Sequence, residues 1–85
     1  EYKKWRKTIT NKCENCDICG IIFTDKIKKH AHHLDAWLLH PERRYDIKNG
    51  VCLCQNCHQE YHSSQGNGTN TERDYIIYKS LKREL

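Results

Sequence analysis

Two Cys-x-x-Cys pairs, Cys16-Asp17-Ile18-Cys19 and Cys54-Gln55-Asn56-Cys57, stand 34 residues apart in a chain of 85. Each pair can present both sulfurs to one ion, and two pairs make a four-thiolate zinc site. A small disulfide scaffold scatters its cysteines more widely, so the pairing points to metal and to a reducing compartment. The chain needs such a staple. Only 36% of its residues are apolar, with one Phe. Ordering a chain of this length costs on the order of 100 kcal/mol, and so polar a chain has little apolar surface with which to offset it. No run approaches the ~20 apolar residues of a membrane span, and no stretch reads as a signal peptide. These features predict a cytoplasmic protein, neither secreted nor membrane-bound. The first residue is Glu1 and the sequence holds no Met, which predicts a domain cut from a longer product, with any separate specificity domain outside it.

Along the chain the pattern is α+β. Tyr2, Trp5 and Ile9 fall at i, i+3, i+7 of a short N-terminal helix, about residues 1–12, whose other face carries Lys3, Lys4, Arg6 and Lys7. That face reads equally as solvated charge or as a phosphate-contacting surface. Gly20 follows Cys19, where a chain turning around a metal needs positive φ. Cys13-x-x-Cys16 competes with Cys16-x-x-Cys19, and Gly20 favours the second pair. Residues 30–34 alternate weakly, as a strand does. Residues 36–46 read as a long loop. Asn49-Gly50 is a turn signal, followed by the β-prone Val51-Cys52-Leu53. A helix fits from about Gln55 to Ser63, and the Gly/Asn/Ser-rich residues 64–70 form a linker. Thr71 and Asp74 give a capping pattern for a last helix, 71–85, whose Tyr75, Tyr78 and Leu81, with Ile77 beside them, read as a core face.

The gap between the Cys pairs is longer than the roughly 15–20 residues of ordinary zinc ribbons. The excess holds His32 and His33, and His58 and His62 follow Cys57. His58 and His62, at i, i+4, stack on one helix face, a spacing that suits a divalent metal. Cys57 lies about 100° around that helix from His58, so the helix can serve zinc on one side and a second metal on the other. Adjacent residues of a strand point to opposite faces, so His32 and His33 divide naturally into one ligand and one base. His30 shares the strand parity of His32 and is the closest competitor. It reads, like His40, as an ordinary histidine.

The segments Trp5-Arg6-Lys7, Cys16-Asp17-Ile18-Cys19-Gly20, Ala31-His32-His33-Leu34 with Trp37, Pro41 to Asp46, Asn49 to Cys54 and Cys57-His58 through His62 together resemble the HNH endonucleases. The likeness is greatest to the zinc-stapled domains of bacteriophage and homing enzymes, and the stretch from Gly66 to Thr71 extends it. The resemblance implies a single small ββα-metal domain: the zinc knuckles and ββα core over about residues 13–63, flanked by N- and C-terminal helices. It implies His32 as a metal ligand, His33 as general base, and Asn49 as the middle Asn that positions the base or sits nearer the metal. His58 falls on the last ligating His, and His62 on a further ligand seen in colicin-like members. Cys16, Cys19, Cys54 and Cys57 fall on the structural Zn²⁺ ligands. Cys13 and Cys52 depart from the pattern, and Cys52 is left out of the zinc site.

The resemblance also implies metal-dependent hydrolysis of DNA, leaving a 5′-phosphate and a 3′-hydroxyl. The duplex would meet the ββα unit through its minor groove, in the host-cell cytoplasm if the gene is phage-borne. Arg44 matches a family arginine; Arg43 and the N-terminal basic residues join it as candidate DNA contacts. The catalytic divalent metal is open among Mg²⁺, Mn²⁺, Ni²⁺ and Zn²⁺, and three imidazoles suit the last three better. The competing reading is a non-catalytic zinc-binding nucleic-acid-binding module. A thiol redox protein is disfavoured, because its CxxC would sit near a βαβ pattern and none is present.

Overall fold

The computed structural model describes residues 1–66 and 68–84. Helix α1 spans Tyr2–Lys12, strand β1 Lys29–His33, strand β2 Gly50–Cys54, helix α2 Gln55–Gln65 and helix α3 Glu72–Glu84. Two single 3-10 turns, Pro41–Arg43 and Ile47–Asn49, shape the connection between the strands. β1 and β2 pair antiparallel, with Lys29 opposite Cys54 and His33 opposite Gly50. This is the small α+β, ββα-metal arrangement expected from the sequence.

The two-stranded sheet has too little surface to make a core alone, and each face is covered by a different partner. On one face Trp5 and Ile9 of α1 pack against Cys52, with Ala31 and Ile47 at the margin. On the other, Leu53 packs with Leu34, Tyr61 of α2, Tyr75 of α3 and the knuckle residues Cys16, Ile18, Cys54 and Cys57. Four of the eight buried residues in this second cluster are cysteines or knuckle apolars rather than ordinary core side chains, so the cysteine knuckles and the core occupy the same place.

Helix α1 runs antiparallel to β1. Its first turns lie near His33, and at its far end the Lys29 ammonium donates to the carbonyls of Thr10 and Cys13, both at 2.9 Å. α2 starts where β2 ends: Cys54 Sγ accepts the Cys57 amide, so a zinc-type cysteine doubles as the helix N-cap. α3 opens on the expected capping box, with the Asp74 amide on Thr71 Oγ1 and the Thr71 amide on the Asp74 carboxylate.

Asn49 closes the 3-10 turn Ile47–Asn49, and β2 follows from Gly50 at φ −135°, as the turn signal and the β-prone residues after it suggest; residues 34–49 join the strands. Glycine is needed at position 50 for space, since a Cβ would come within 2.7 Å of both Ile9 and Trp5. Other details differ from the sequence expectations. Leu81 and Ile77 are exposed, and of the four expected core residues of α3 only Tyr75 and Tyr78 pack on the core. α2 continues to Gln65, two residues past its expected end, and stops at Gly66 with φ 79°. Cys13 and Cys52, given no role by the sequence, are joined as a disulfide between the end of α1 and β2. Asn67 of the linker and Leu85 of the last helix lie outside the described residues.

Candidate active site

The first knuckle is a tight loop. The Cys16 amide donates to Ile21 O and the Gly20 amide to Cys16 O, both at 2.9 Å, and Gly20 takes φ 78° as its place after Cys19 requires. Cys16, Cys19, Cys54 and Cys57 converge, with all four sulfurs within 4.8 Å of one another. Cys19 Sγ and Cys54 Sγ are 3.8 Å apart. A tetrahedral zinc with Zn–S bonds of about 2.3 Å separates its sulfurs by about 3.8 Å, so the donor set fits this ion. Burial pushes the Cys16 thiol up, but hydrogen bonds from the backbone of Cys54, Cys19 and Ile18 bring it down to about 7. Burial also pushes the Cys57 thiol up, and there the neighbouring thiols of Cys54, Cys19 and Cys16 add to it, leaving it well above its ordinary range. A cation among four such sulfurs resolves this conflict by favouring the thiolate at each. Of the two overlapping CxxC motifs the structure therefore selects Cys16-x-x-Cys19.

A second cluster forms where β1 crosses α2. The donor nitrogens of His32, His58 and His62 also lie within 4.8 Å of one another. His58 Nε2 and His62 Nε2 are 3.1 Å apart, as the i, i+4 spacing predicts. His62 Nδ1 faces the Gly66 carbonyl at 3.0 Å. A carbonyl only accepts, so Nδ1 carries the proton and Nε2 presents its lone pair to the cluster, the usual outer support of a ligating imidazole. His32 is 4% exposed, and its Nε2 is buried with no hydrogen-bond partner among the described residues. An orphaned buried nitrogen beside two convergent imidazoles fits a metal site. Burial, with His58 and His62 close by, holds the His32 imidazole down at about 3. Burial, with His62 and His30 near, holds His58 at about 4. Both are neutral at pH 7, as ligation requires. His30 stacks on His58 at 5.0 Å between ring centroids, yet its nitrogens are outside the convergent set. His40 faces Glu42 at 3.5 Å.

His33 points to the opposite face of β1, toward α1. Its ring lies flat on Trp5, with centroids 3.8 Å apart and planes within 9°, and Tyr2 and Trp37 approach from two further sides. His33 Nε2 meets Arg44 O at 2.8 Å. The carbonyl again fixes the tautomer: Nε2 donates, and Nδ1 is left with a free lone pair. Burial lowers the imidazole below its ordinary range, and the Arg44 carbonyl partly opposes this. His32, His33, His58 and His62 line one cleft of about 230 Å³, with Tyr2, Trp37 and Asn70 at its walls.

Asn49 is fully buried away from these histidines. Its Oδ1 accepts the Asp35 amide at 2.7 Å, and its Nδ2 donates to the carbonyls of Asp35 and Arg43, both at 3.0 Å. It thus fixes the loop whose next residue, Arg44, supplies the carbonyl that holds His33. Of the two placements left open by the sequence, this is the one through the loop.

The candidate DNA contacts divide. Lys3, Lys4, Arg6 and Lys7 are all exposed on α1. Arg44 lies over the Trp37 ring at 4.8 Å and donates Nε–H to Trp37 O. Arg43 is held by Asp35 at 2.7 Å, Glu72 at 2.8 Å and Asp46 at 3.6 Å. Its guanidinium ties the strand connection to the start of α3. Sequence reading missed the support around His33. Trp5 was legible as core, but only the packing shows it as the floor under an imidazole, and a backbone carbonyl such as Arg44 O leaves no residue signal at all.

Among comparisons with known proteins, the family model described as HNH endonuclease matches residues 13–64, more than half of the chain. No curated protein and no solved structure matches it.

Proposed function

Because this chain belongs to the HNH endonuclease family, we propose that it hydrolyses phosphodiester bonds of duplex DNA, with His33 as general base. The observation that carries this reading is the pairing in one cleft of a three-imidazole metal set with a fourth imidazole whose free Nδ1 is fixed by the Arg44 carbonyl. His32, His58 and His62 would hold one divalent cation, and Cys16, Cys19, Cys54 and Cys57 a structural Zn²⁺. When bound, the divalent cation would supply charge neutralisation at the phosphate and stabilise the leaving 3′-oxygen.

The protein's own groups do the rest. His33 Nδ1 takes a proton from a water aligned behind phosphorus, while the Nε2–H bond to Arg44 O stabilises the imidazolium that forms. Trp5 keeps the ring in plane. Asn49 is a positioning residue, acting through the loop and not on the substrate. Water attack with departure of the 3′-oxygen leaves a 5′-phosphate and a 3′-hydroxyl. Three nitrogen ligands favour Mn²⁺, Ni²⁺ or Zn²⁺ over Mg²⁺, which prefers oxygen.

The test is conversion of supercoiled plasmid to nicked or linear form with each metal added, wild type beside His33→Ala. Loss of an imidazole base is expected to slow cleavage by about 10²–10⁴-fold. Equal cutting by both proteins would refute the assignment of His33. The competing reading, a zinc module that only binds nucleic acid, predicts no cutting by either protein; it leaves the fixed tautomer of His33 without a use.

A further inference from the structure

A second concave surface lies beside the catalytic cleft. It is a groove of about 620 Å³ lined by Lys3, Arg6 and Lys7 of α1, the backbone turn at Thr10 and Asn11, and Lys28 and Lys29 at the entrance to β1. No acidic side chain lines it. Lys29 is committed to the end of α1 through its two carbonyl contacts. Lys3, Arg6, Lys7 and Lys28 are exposed, and none of them enters an ion pair among the described residues. Four unpaired cations around one groove repel one another, which disfavours the arrangement unless an anion is shared.

The direction of the groove follows from the packing. α1 lies antiparallel to β1, with Tyr2 and Trp5 beside His33 and Thr10 beside Lys29. The cations therefore form a lane that begins at the cleft and runs along β1 toward Lys28. The four residue steps from His33 to Lys29 cover about 13 Å, the axial rise of roughly four nucleotides of one DNA strand.

We infer that this groove binds the backbone phosphates flanking the scissile one, on one side of the cut only, with Arg6 contributed by α1 and Lys28 by the entrance to β1. The inference rests on the nuclease reading for its orientation. Contacts of this kind carry no base information; they set register and affinity. The chemistry recognised is a row of phosphodiester anions, and the lane adds Lys28, from outside the basic helix, to the residues that engage them.

The experiment is binding of the zinc-loaded full chain to a fluorescently labelled short DNA duplex, read by anisotropy between about 50 and 200 mM salt without added catalytic metal. The Arg6→Ala/Lys28→Ala double variant is expected to reduce the slope of log Kd against log salt by about 2, one phosphate for each residue. Arg6→Lys should keep the wild-type slope. So should Lys82→Ala, whose ammonium is held by Glu60. Melting and zinc content of the double variant should match wild type, since both side chains are exposed. An unchanged slope in the double variant, or no duplex binding by wild type at low salt, would overturn the inference. An unchanged slope with plasmid cutting intact would remove the lane and leave the nuclease. A reduced slope with no cutting under any metal would remove the nuclease and leave the lane.

Discussion

At the scale of single residues, the site depends on groups that fix other groups. Asn49 satisfies one amide and two carbonyls from full burial, and no solvent can replace it. Asn49→Ala leaves buried backbone polar groups unpaired, at about 1–3 kcal/mol in total stability. It also frees the loop that holds Arg44 O. Cleavage kinetics of that variant should therefore show a fall in kcat with KM nearly unchanged; a pure KM effect would argue that Asn49 meets the substrate instead. Gly50 is a second such position. A methyl there collides with Ile9 and Trp5, and the relief of that overlap should cost about 1–3 kcal/mol. Because Trp5 is the floor under His33, Gly50→Ala should lower cleavage as well as the denaturation midpoint. Full activity in a destabilised Gly50→Ala protein would show that the Trp5 stack is dispensable for the base.

At the scale of elements, β1 and α2 share a histidine cluster whose protonation opposes their packing. In the folded chain His32 is held at about 3 and His58 at about 4, against an ordinary value of about 6.5 in the unfolded chain. Between these values the unfolded state binds protons that the folded state refuses, so stability is complete above pH 6.5 and falls as the pH drops toward 4. Melting temperature followed from pH 8 to pH 5 should decline from about 6.5 downward, and His58→Ala should flatten that decline. A decline of equal steepness in the variant would assign it to other groups. α3 is attached by polar ties as much as by its core face. Tyr75 Oη donates to the Asp17 carboxylate at 2.5 Å, and Lys79 Nζ lies 3.0 Å from it. The Glu72 amide donates to Asp35 at 2.8 Å. The knuckle, the strand connection and the last helix are thus one connected unit.

At the scale of the whole molecule, the four-cysteine cluster, whose geometry fits a structural zinc, links the two halves. The four-cysteine cluster joins the first knuckle to the β2–α2 junction, and it sits inside the larger of the two cores. Structural zinc contributes roughly 10–16 kcal/mol of apparent binding energy in small domains, as much as the roughly 5–15 kcal/mol net stability of a typical domain. A strong chelator that removes all metal should therefore abolish the thermal transition. His58→Ala/His62→Ala, which empties only the histidine cluster, should abolish cleavage and leave a cooperative melt. An unchanged melt after verified loss of zinc would contradict this.

The sequence alone determined the elements that rest on local periodicity and ligand spacing. These are the α1 face of Trp5 and Ile9, the Cys16/Cys19 and Cys54/Cys57 pairs, the stacked His58 and His62, the opposed faces of His32 and His33, and the Thr71–Asp74 cap. Each is set by residues within a few positions of one another, where helix and strand geometry leave little choice. Only the tertiary structure decided what depends on approach between distant segments. It placed Gly50 against Ile9 and Trp5, a close approach that no local pattern signals. It joined Cys13 to Cys52 across 39 residues, drew Arg43 onto three carboxylates, and left Leu81 and Ile77 without a core to enter. The carbonyl that fixes the tautomer of His33 belongs to the same class: every residue has one, and only the fold determines which one an imidazole meets.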